Sequence, residues 1–214
     1  MGSSSRLTIS RIAAPIMVLG PGRRLAIWVQ GCTIGCQDCA SVDTWPADGG
    51  TTVAVCDLVT EVAERLDRNN LDGLTITGGE PFQQAEAAVN LLSLLRAAGA
   101  LDHRDVLVFT GFANARARTI SPQLWDEADA LVTGPYISSR SSGGWLLASD
   151  NQRLVCRTAL ARERFTPAIR PSIQMSAQES RLSITGLPQA GDLDRFRELM
   201  AARGISFGGV SWQR

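Results

Sequence analysis

The 214-residue chain is 44% hydrophobic and 20% charged, and its 21 basic and 21 acidic residues leave a formal net charge of zero. That balance argues against a nucleic-acid or membrane-surface partner, and the length fits one globular domain with a substantial core. All 21 basic residues are arginine, which excludes lysine Schiff-base or lysine acid–base chemistry.

No apolar run approaches the length of a membrane-spanning helix. The start, Met1 to Ser5, lacks a basic region followed by a long apolar segment, so no signal peptide is expected. Residues 1–6 are expected to be a disordered terminus or tag remnant, with one domain over 7–214. Five cysteines at these spacings do not resemble a disulfide framework, so a reducing, cytoplasmic location is expected.

In chain order, Leu7 to Ile12 reads as an entry strand. Leu25 to Val29 reads as a strand buried on both faces. The cysteine-rich loop follows it. Thr51 or Thr52 is expected to cap a helix running to about Arg68, with Val55, Val59, Val62 and Leu66 on one buried face. Cys56 on that helix reads as a small core residue. Leu74 to Thr77 is a short buried strand ending in Gly78-Gly79-Glu80-Pro81. A helix over about Gln83 to Ala98 turns Ala85, Ala88, Leu92 and Leu95 inward. Val106 to Phe109 is a strand closed by Thr110-Gly111, Pro122 to Ala128 a short helix, and Ala130 to Val132 a further strand.

Residues 138 to 149, rich in serine and glycine, read as a loop, either a mobile lid or a surface excursion. Leu154 to Cys156 reads as a strand, and residues 160 to 178 carry little pattern. Arg181 to Thr185 reads as a strand, Asp192 to about Ala202 as a helix with Leu193 and Phe196 inward, and Ile205 to Trp212 as a final strand. Strands alternating with helices point to parallel βαβ units with right-handed crossovers. About six such units in a short chain suggest an open, partial (β/α) barrel, whose site lies at the carboxyl ends of the strands. The cysteine loop, Gly78-Gly79-Glu80, Thr110-Gly111 and Thr133-Gly134 all fall at such ends.

The loop Gln30-Gly31-Cys32-Thr33-Ile34-Gly35-Cys36-Gln37-Asp38-Cys39 carries three of the five cysteines, spaced C-x3-C-x2-C. Three thiolates on one loop bind three corners of a metal centre and leave the fourth free. A closed structural zinc site wants four protein ligands, as does a four-cysteine cluster. The one histidine is His103 and the nearest other cysteine is Cys56. The pattern therefore points to a [4Fe–4S] cluster with one iron open to an exogenous ligand, the alternatives being a zinc knuckle or buried small residues.

On these residues the chain resembles the radical S-adenosylmethionine (radical SAM) superfamily. From Gly20-Pro21-Gly22 through Trp28-Val29-Gln30-Gly31-Cys32 to Thr44-Trp45 it is similar to the activating enzymes of anaerobic ribonucleotide reductase. The resemblance implies a single-domain partial (β/α)6-like radical SAM barrel and a cluster held by Cys32, Cys36 and Cys39. It implies that the open iron chelates SAM, which the cluster reductively cleaves to a 5′-deoxyadenosyl radical. It implies a glycyl-radical enzyme as partner and an electron donor such as flavodoxin or ferredoxin, with no nucleic acid and no membrane.

Thr77-Gly78-Gly79-Glu80 resembles the superfamily's Gly-Gly-Glu motif at the SAM amino group; without a resemblance it reads as a strand-to-helix turn. Thr110-Gly111-Phe112 resembles a segment that shapes the SAM pocket. Asp129 to Tyr136 resembles an Asp-x-Leu-Val-Asp-Gly pattern in which Thr133 replaces the second aspartate. Asn151-Gln152-Arg153 resembles a Ser-x-Asn-Gln-Arg feature, with SAM or partner contact implied. Two other readings stand beside the activase: a radical SAM enzyme acting on a peptide or small metabolite, and a non-catalytic iron–sulfur or zinc module.

Overall fold

The computed structural model describes residues 5–166, 172–178, 181–189 and 191–207. Among them, strands β1 (Arg6–Ile16), β2 (Arg24–Val29) and β3 (Thr51–Ala54) precede helix α1 (Val55–Arg68). Then come β4 (Gly73–Gly78), α2 (Ala85–Ala97), β5 (Asp105–Thr110), α3 (Asn114–Ile120), α4 (Pro122–Glu127) and β6 (Ala130–Thr133). A small hairpin, β7 (Ser141–Gly144) and β8 (Leu147–Ser149), leads to β9 (Arg153–Cys156) and α5 (Ala159–Arg164). The last elements are β10 (Ile173–Gln178), β11 (Arg181–Gly186) and α6 (Asp192–Ala201).

The main sheet has the order β3-β1-β2-β4-β5-β6-β9. Its centre, β2-β4-β5-β6, is parallel, whereas β1, β3 and β9 join antiparallel. The architecture is thus mixed α/β, with three parallel steps at its heart. All six positions of β2 are buried, as expected of a central strand covered on both faces.

Period-2 alternation and the register separate the two faces. Leu25, Ile27, Val29, Leu74, Ile76, Val106 and Val108 pack with Leu58, Val62, Leu66, Leu91, Leu92 and Leu95 of α1 and α2. The opposite face carries Ala26, Trp28, Thr75, Thr77, Leu107 and Phe109, which are in register across β2, β4 and β5. Its amino-terminal end is closed by fully buried charges. Arg24 pairs with Asp105 at 2.7 Å and donates to Thr75 Oγ1 at 2.7 Å; Arg164 of α5 reaches Asp105 at 3.0 Å. The carboxyl-terminal end of the same face stays open as a cleft.

Several expectations are corrected. Thr51 and Thr52 do not cap a helix: they pair with β1 as β3, and α1 starts at Val55. An open edge of β1 satisfies their backbone groups, which outweighs the local capping preference. Cys56 is exposed rather than core, because the buried stripe of α1 runs through Val55, Leu58, Val62 and Leu66. The Ser/Gly stretch forms β7–β8 instead of a bare loop, and α3 was not foreseen. Residues 205–207 are not strand, and the rest of the expected final strand lies outside the described residues. β1 begins at Arg6, inside the segment expected to lack structure. No helix among the described residues is long and apolar enough to cross a membrane.

Asp105→Ala would leave the Arg24 guanidinium buried without a counter-charge. The expected loss is about 3–5 kcal/mol of unfolding free energy, measured by urea denaturation of the cluster-free chain. Asp67→Ala, which breaks the half-exposed pair with Arg104, should cost no more than about 1 kcal/mol.

Candidate active site

β2 ends at Val29, and the chain leaves the sheet through a narrow neck. Gly31 N–H donates to Thr44 O at 2.7 Å and Cys32 N–H to Trp45 O at 3.1 Å, so the excursion returns to the point from which it left. The buried Gln30 amide ties down the returning strand by donating to Asp43 O and Pro46 O at 3.1 and 2.8 Å. Gln84 holds the other side, bonding Thr8 N–H and O and the Gln30 carbonyl. Gln83 meets Thr33 through both backbone and side chain. The loop is therefore fixed at its base by three glutamines, two of them in the turn Pro81–Gln84 that follows Glu80.

Cys32, Cys36 and Cys39 are free and half-buried, and all three line the open cleft. Each thiol meets backbone N–H groups. Cys32 is faced by Ile34 and Gly35 and Cys36 by Tyr136, while Cys39 Sγ accepts from Ser41 N–H at 3.4 Å. Burial pushes the Cys32 and Cys36 thiols up, the neighbouring cysteines add to this, and the N–H groups pull the other way. Such thiols hold their protons until a cation takes the proton's place.

Among the described residues, no three His, Cys, Asp or Glu side chains converge on one point as the ligands of a single ion would. The loop also offers no fourth cysteine and no histidine. His103 lies at the amino end of β5, where its carbonyl accepts from Arg164 at 2.9 Å. Cys156 pairs with Ala130 at the far end of β6, and Cys56 is on the outer surface of α1. Three thiols without a fourth ligand, rimmed by N–H donors, suit the three cysteine-bound irons of a [4Fe–4S] cluster better than a closed zinc site.

The Gly78-Gly79-Glu80 turn sits against the neck. Gly79 N–H donates to Val29 O and Glu80 N–H to Gly31 O, both at 2.8 Å. A Cβ on Gly79 would strike the Gly31 carbonyl; one on Gly78, whose φ is +99°, would lie 2.7 Å from Trp28 Cα. Only glycine permits this approach. The buried Glu80 carboxylate accepts from Phe82 N–H at 2.9 Å, Thr110 Oγ1 at 2.8 Å and Gly111 N–H at 2.8 Å. Burial pushes its acid up, against the pull of those three donors. Glu80 thus locks the end of β5 to the end of β4, and Thr110 is used in doing so.

Thr77, Gly78, Gly79, Glu80, Thr110 and Gln152 line the cleft with the three cysteines; Thr133, Asn151 and Arg153 are not in its lining. The buried Thr133 hydroxyl bonds Asn114 Oδ1 and Arg153 O instead. Asn151 Nδ2 donates to Pro135 O at 2.8 Å and Gln152 Nε2 to Gly134 O at 3.0 Å. These two amides therefore hold the 134–136 loop, from which Tyr136 N–H faces Cys36. Sequence reasoning missed Gln30, Gln83, Gln84, and Arg11, which pairs with Asp43 at 2.9 Å and stacks 4.6 Å over Trp28. The signal for the glutamines was their adjacency to the cysteine and Gly-Gly-Glu motifs. The cleft encloses about 1360 Å³.

A family model described as "4Fe-4S single cluster domain" matches residues 18–155. The anaerobic ribonucleoside-triphosphate reductase-activating protein of Enterobacteria phage T4 is 30% identical over 154 residues, 71% of this chain and 96% of that protein. The protein of the same name from Vibrio cholerae serotype O1 is 28% identical over 131 residues, 60% of this chain and 83% of that one. The pyruvate formate-lyase-activating enzyme of Listeria monocytogenes serovar 1/2a is 34% identical over 82 residues, which span 37% of this chain and 33% of that enzyme.

Gly79→Ala should displace the loop neck, at a cost of about 1–3 kcal/mol by overpacking. Urea unfolding of the cluster-free chain measures that cost. Iron bound per chain after anaerobic reconstitution should fall in parallel, whereas Gly204→Ala, strained by its φ of +76° but outside the cleft lining and with nothing within 4 Å of the added methyl, should keep its iron.

Proposed function

This chain belongs to the 4Fe–4S single-cluster family that its relatives, the anaerobic ribonucleoside-triphosphate reductase-activating proteins, exemplify, and on that premise we propose how its residues act. It is a radical SAM enzyme of the glycyl-radical-activating type, with a [4Fe–4S] cluster and SAM as cofactors. When bound, the cluster would supply the one-electron reduction that breaks the S–C5′ bond of SAM, with methionine as leaving group, the chemistry by which a hydrogen atom is removed from the substrate.

Cys32, Cys36 and Cys39 are the three cluster ligands in this reading. The observation that carries it is three half-buried free thiols in one cleft with Gly78-Gly79-Glu80 and, among the described residues, no fourth cysteine and no histidine lining it. N–H groups of Gly35, Tyr136 and Ser41 would stabilise the thiolate charge. The backbone at Gly78 and Gly79, held against the neck, would receive the SAM ammonium group. Glu80 is buried behind it and engaged by three donors, so its part is to position that turn and the Thr110-Gly111 end of β5. Thr77 would border the bound SAM. Gln152 and Asn151 orient the 134–136 loop; Thr133 and Arg153 act from outside the cleft.

The partner is a glycyl-radical enzyme, in line with the names of the relatives; an anaerobic ribonucleotide reductase is the form we favour, from the near-complete coverage of the phage protein. Flavodoxin or ferredoxin would supply the electron. The parallel centre β2-β4-β5-β6 is read as part of a partial (β/α)6-like barrel within a single domain from residue 7 onward. An oxygen-sensitive cluster favours a cytoplasmic setting.

The test is anaerobic. Reconstituted protein, SAM and dithionite should yield 5′-deoxyadenosine, and a glycyl-radical partner from the same genome should acquire a carbon-centred radical signal in electron paramagnetic resonance. Cys32→Ala, Cys36→Ala and Cys39→Ala should each abolish both products, since no nearby thiolate substitutes. Full activity in any of the three would overturn the ligand assignment.

A further inference from the structure

The alternation that turns Leu7 and Ile9 toward α1 and α2 would carry Arg11 to the same helix-covered face. It does not, because β1 holds one extra residue at this point. Ile9 pairs with Val29 but Arg11 with Trp28, so two steps along β1 match one along β2. Such a bulge exchanges the faces beyond it. Ile12 packs with the core on the helix side, and Arg11 shares the face of its cross-strand partner Trp28. Both Arg11 and Trp28 line the cleft. The extra residue therefore sets an arginine in the cleft wall, where strict alternation would have turned it under the helices.

Its partner there lies on the return of the cysteine loop. Arg11 Nη1 donates to Asp43 Oδ2 at 2.9 Å, and the guanidinium lies 4.6 Å over the buried Trp28 ring. Asp43 belongs to the short turn Val42–Thr44, between the third cysteine and the neck. That turn is bonded toward both. Ser41 N–H donates to Cys39 Sγ at 3.4 Å and Thr44 N–H to Ser41 O at 3.0 Å, while Thr44 O accepts from Gly31 N–H at 2.7 Å. Arg11 thus supplies the counter-charge to a carboxylate whose other oxygen, Oδ1, is buried with no hydrogen-bond partner among the described residues.

The remaining charges of the cleft lining are mostly acidic. Asp38, Glu80 and Asp194 line it beside Asp43. Among the described residues the other arginine of the lining is Arg65, which is paired within α1 to Glu61 at 2.6 Å. Adding one electron to a cluster at the three cysteines adds a negative charge to this space, which anions oppose and a cation favours.

We propose that Arg11 is a positioning residue for the cluster: through Asp43 it straps the Cys39 side of the loop to β1, and by neutralising that carboxylate it sets how readily the cluster accepts its electron. The inference rests on the assignment of Cys32, Cys36 and Cys39 as cluster ligands. Removing Arg11 leaves the Asp43 anion in the cleft, and removing the Asp43 charge leaves the Arg11 cation. Both changes break the same strap, but they alter the charge in opposite directions, and this separates an electrostatic role from fastening alone.

The experiment uses the full chain with its cluster reconstituted anaerobically and no SAM. The reduced-cluster signal in electron paramagnetic resonance is followed as the solution potential is stepped with dithionite and redox mediators. Arg11→Gln should make the midpoint potential more negative than in the wild type, and Asp43→Asn should make it more positive. Each should change the ratio of reduced to oxidised cluster at the wild-type midpoint by about threefold or more, the scale of a partly screened unit charge. The double variant, neutral again, should return toward the wild-type midpoint. Arg11→Lys keeps the cation and a donor for the single bond to Asp43, so its midpoint should stay with the wild type. Shifts of the same sign in the two single variants, or no shift in either with iron per chain unchanged, would overturn the inference. Should a single variant assemble too little cluster to titrate, Arg11→Lys decides. Wild-type iron and midpoint in that protein support the strap, and an iron loss equal to that of Arg11→Gln overturns it. A wild-type chain that takes up no four-iron cluster would bring down the ligand assignment itself, and this inference with it.

Discussion

The site depends on one backbone contact: Glu80 N–H to Gly31 O at 2.8 Å, with Gly79 N–H to Val29 O beside it. It joins the neck of the cysteine loop to the end of β4. No side chain fits between the two backbones, so both glycines of the turn are obligatory. From this contact the rest of the site follows outward. Glu80 fixes the end of β5, Gln83 and Gln84 fix the loop base, and Gln152 and Asn151 fix the loop after β6. The result is a rim of backbone donors and half-buried thiols built on four parallel strand ends.

The sheet's second face is divided by charge. At its amino end the fully buried Arg24–Asp105 pair, braced by Arg164, fills the space with paired charges. At its carboxyl end Trp28, Thr77 and Phe109 are left to line a cleft. A buried pair of this kind contributes little net stability but is costly to break. Its use here is to seal one end of the face, so that the opening falls at the end where the cysteine loop stands. Cys32 and Cys36 match that polarity: burial makes them poor thiolates in isolation, and a cationic cluster would restore the ionised form.

Much of this was legible in the sequence because the informative signals were local. C-x3-C-x2-C, Gly-Gly-Glu and Thr110-Gly111 each sit at the end of an apolar run, and parallel strands gather such ends on one edge. Strands β2, β4, β5 and β6 and helices α1 and α2 follow from period and length. What escaped was set by distant partners. Thr51–Ala54 became strand because β1 offered an edge, and Cys56 turned outward because the helix phase was fixed by Leu58 and Val62. Thr133 reads as a substituted site residue in sequence, but its hydroxyl is engaged by Asn114, which only the tertiary fold brings near. Gln30, Gln83 and Gln84 carry no motif of their own; their meaning lies in the backbone groups they satisfy. The hairpin β10–β11 was half legible: Arg181–Thr185 alternates polar and apolar residues and reads as a strand, whereas Ile173–Gln178, which alternates as strictly, lies in a stretch whose surroundings carry little pattern.

The most direct test of the central claim, a cluster held by Cys32, Cys36 and Cys39 with one iron left for SAM, is a Mössbauer spectrum of the ⁵⁷Fe-reconstituted protein with and without SAM. The account predicts that SAM moves the signal of about a quarter of the iron, one site in a four-iron cluster, and leaves the rest unchanged. A spectrum untouched by saturating SAM, or a centre that binds zinc in place of iron with the same three cysteines, would contradict it.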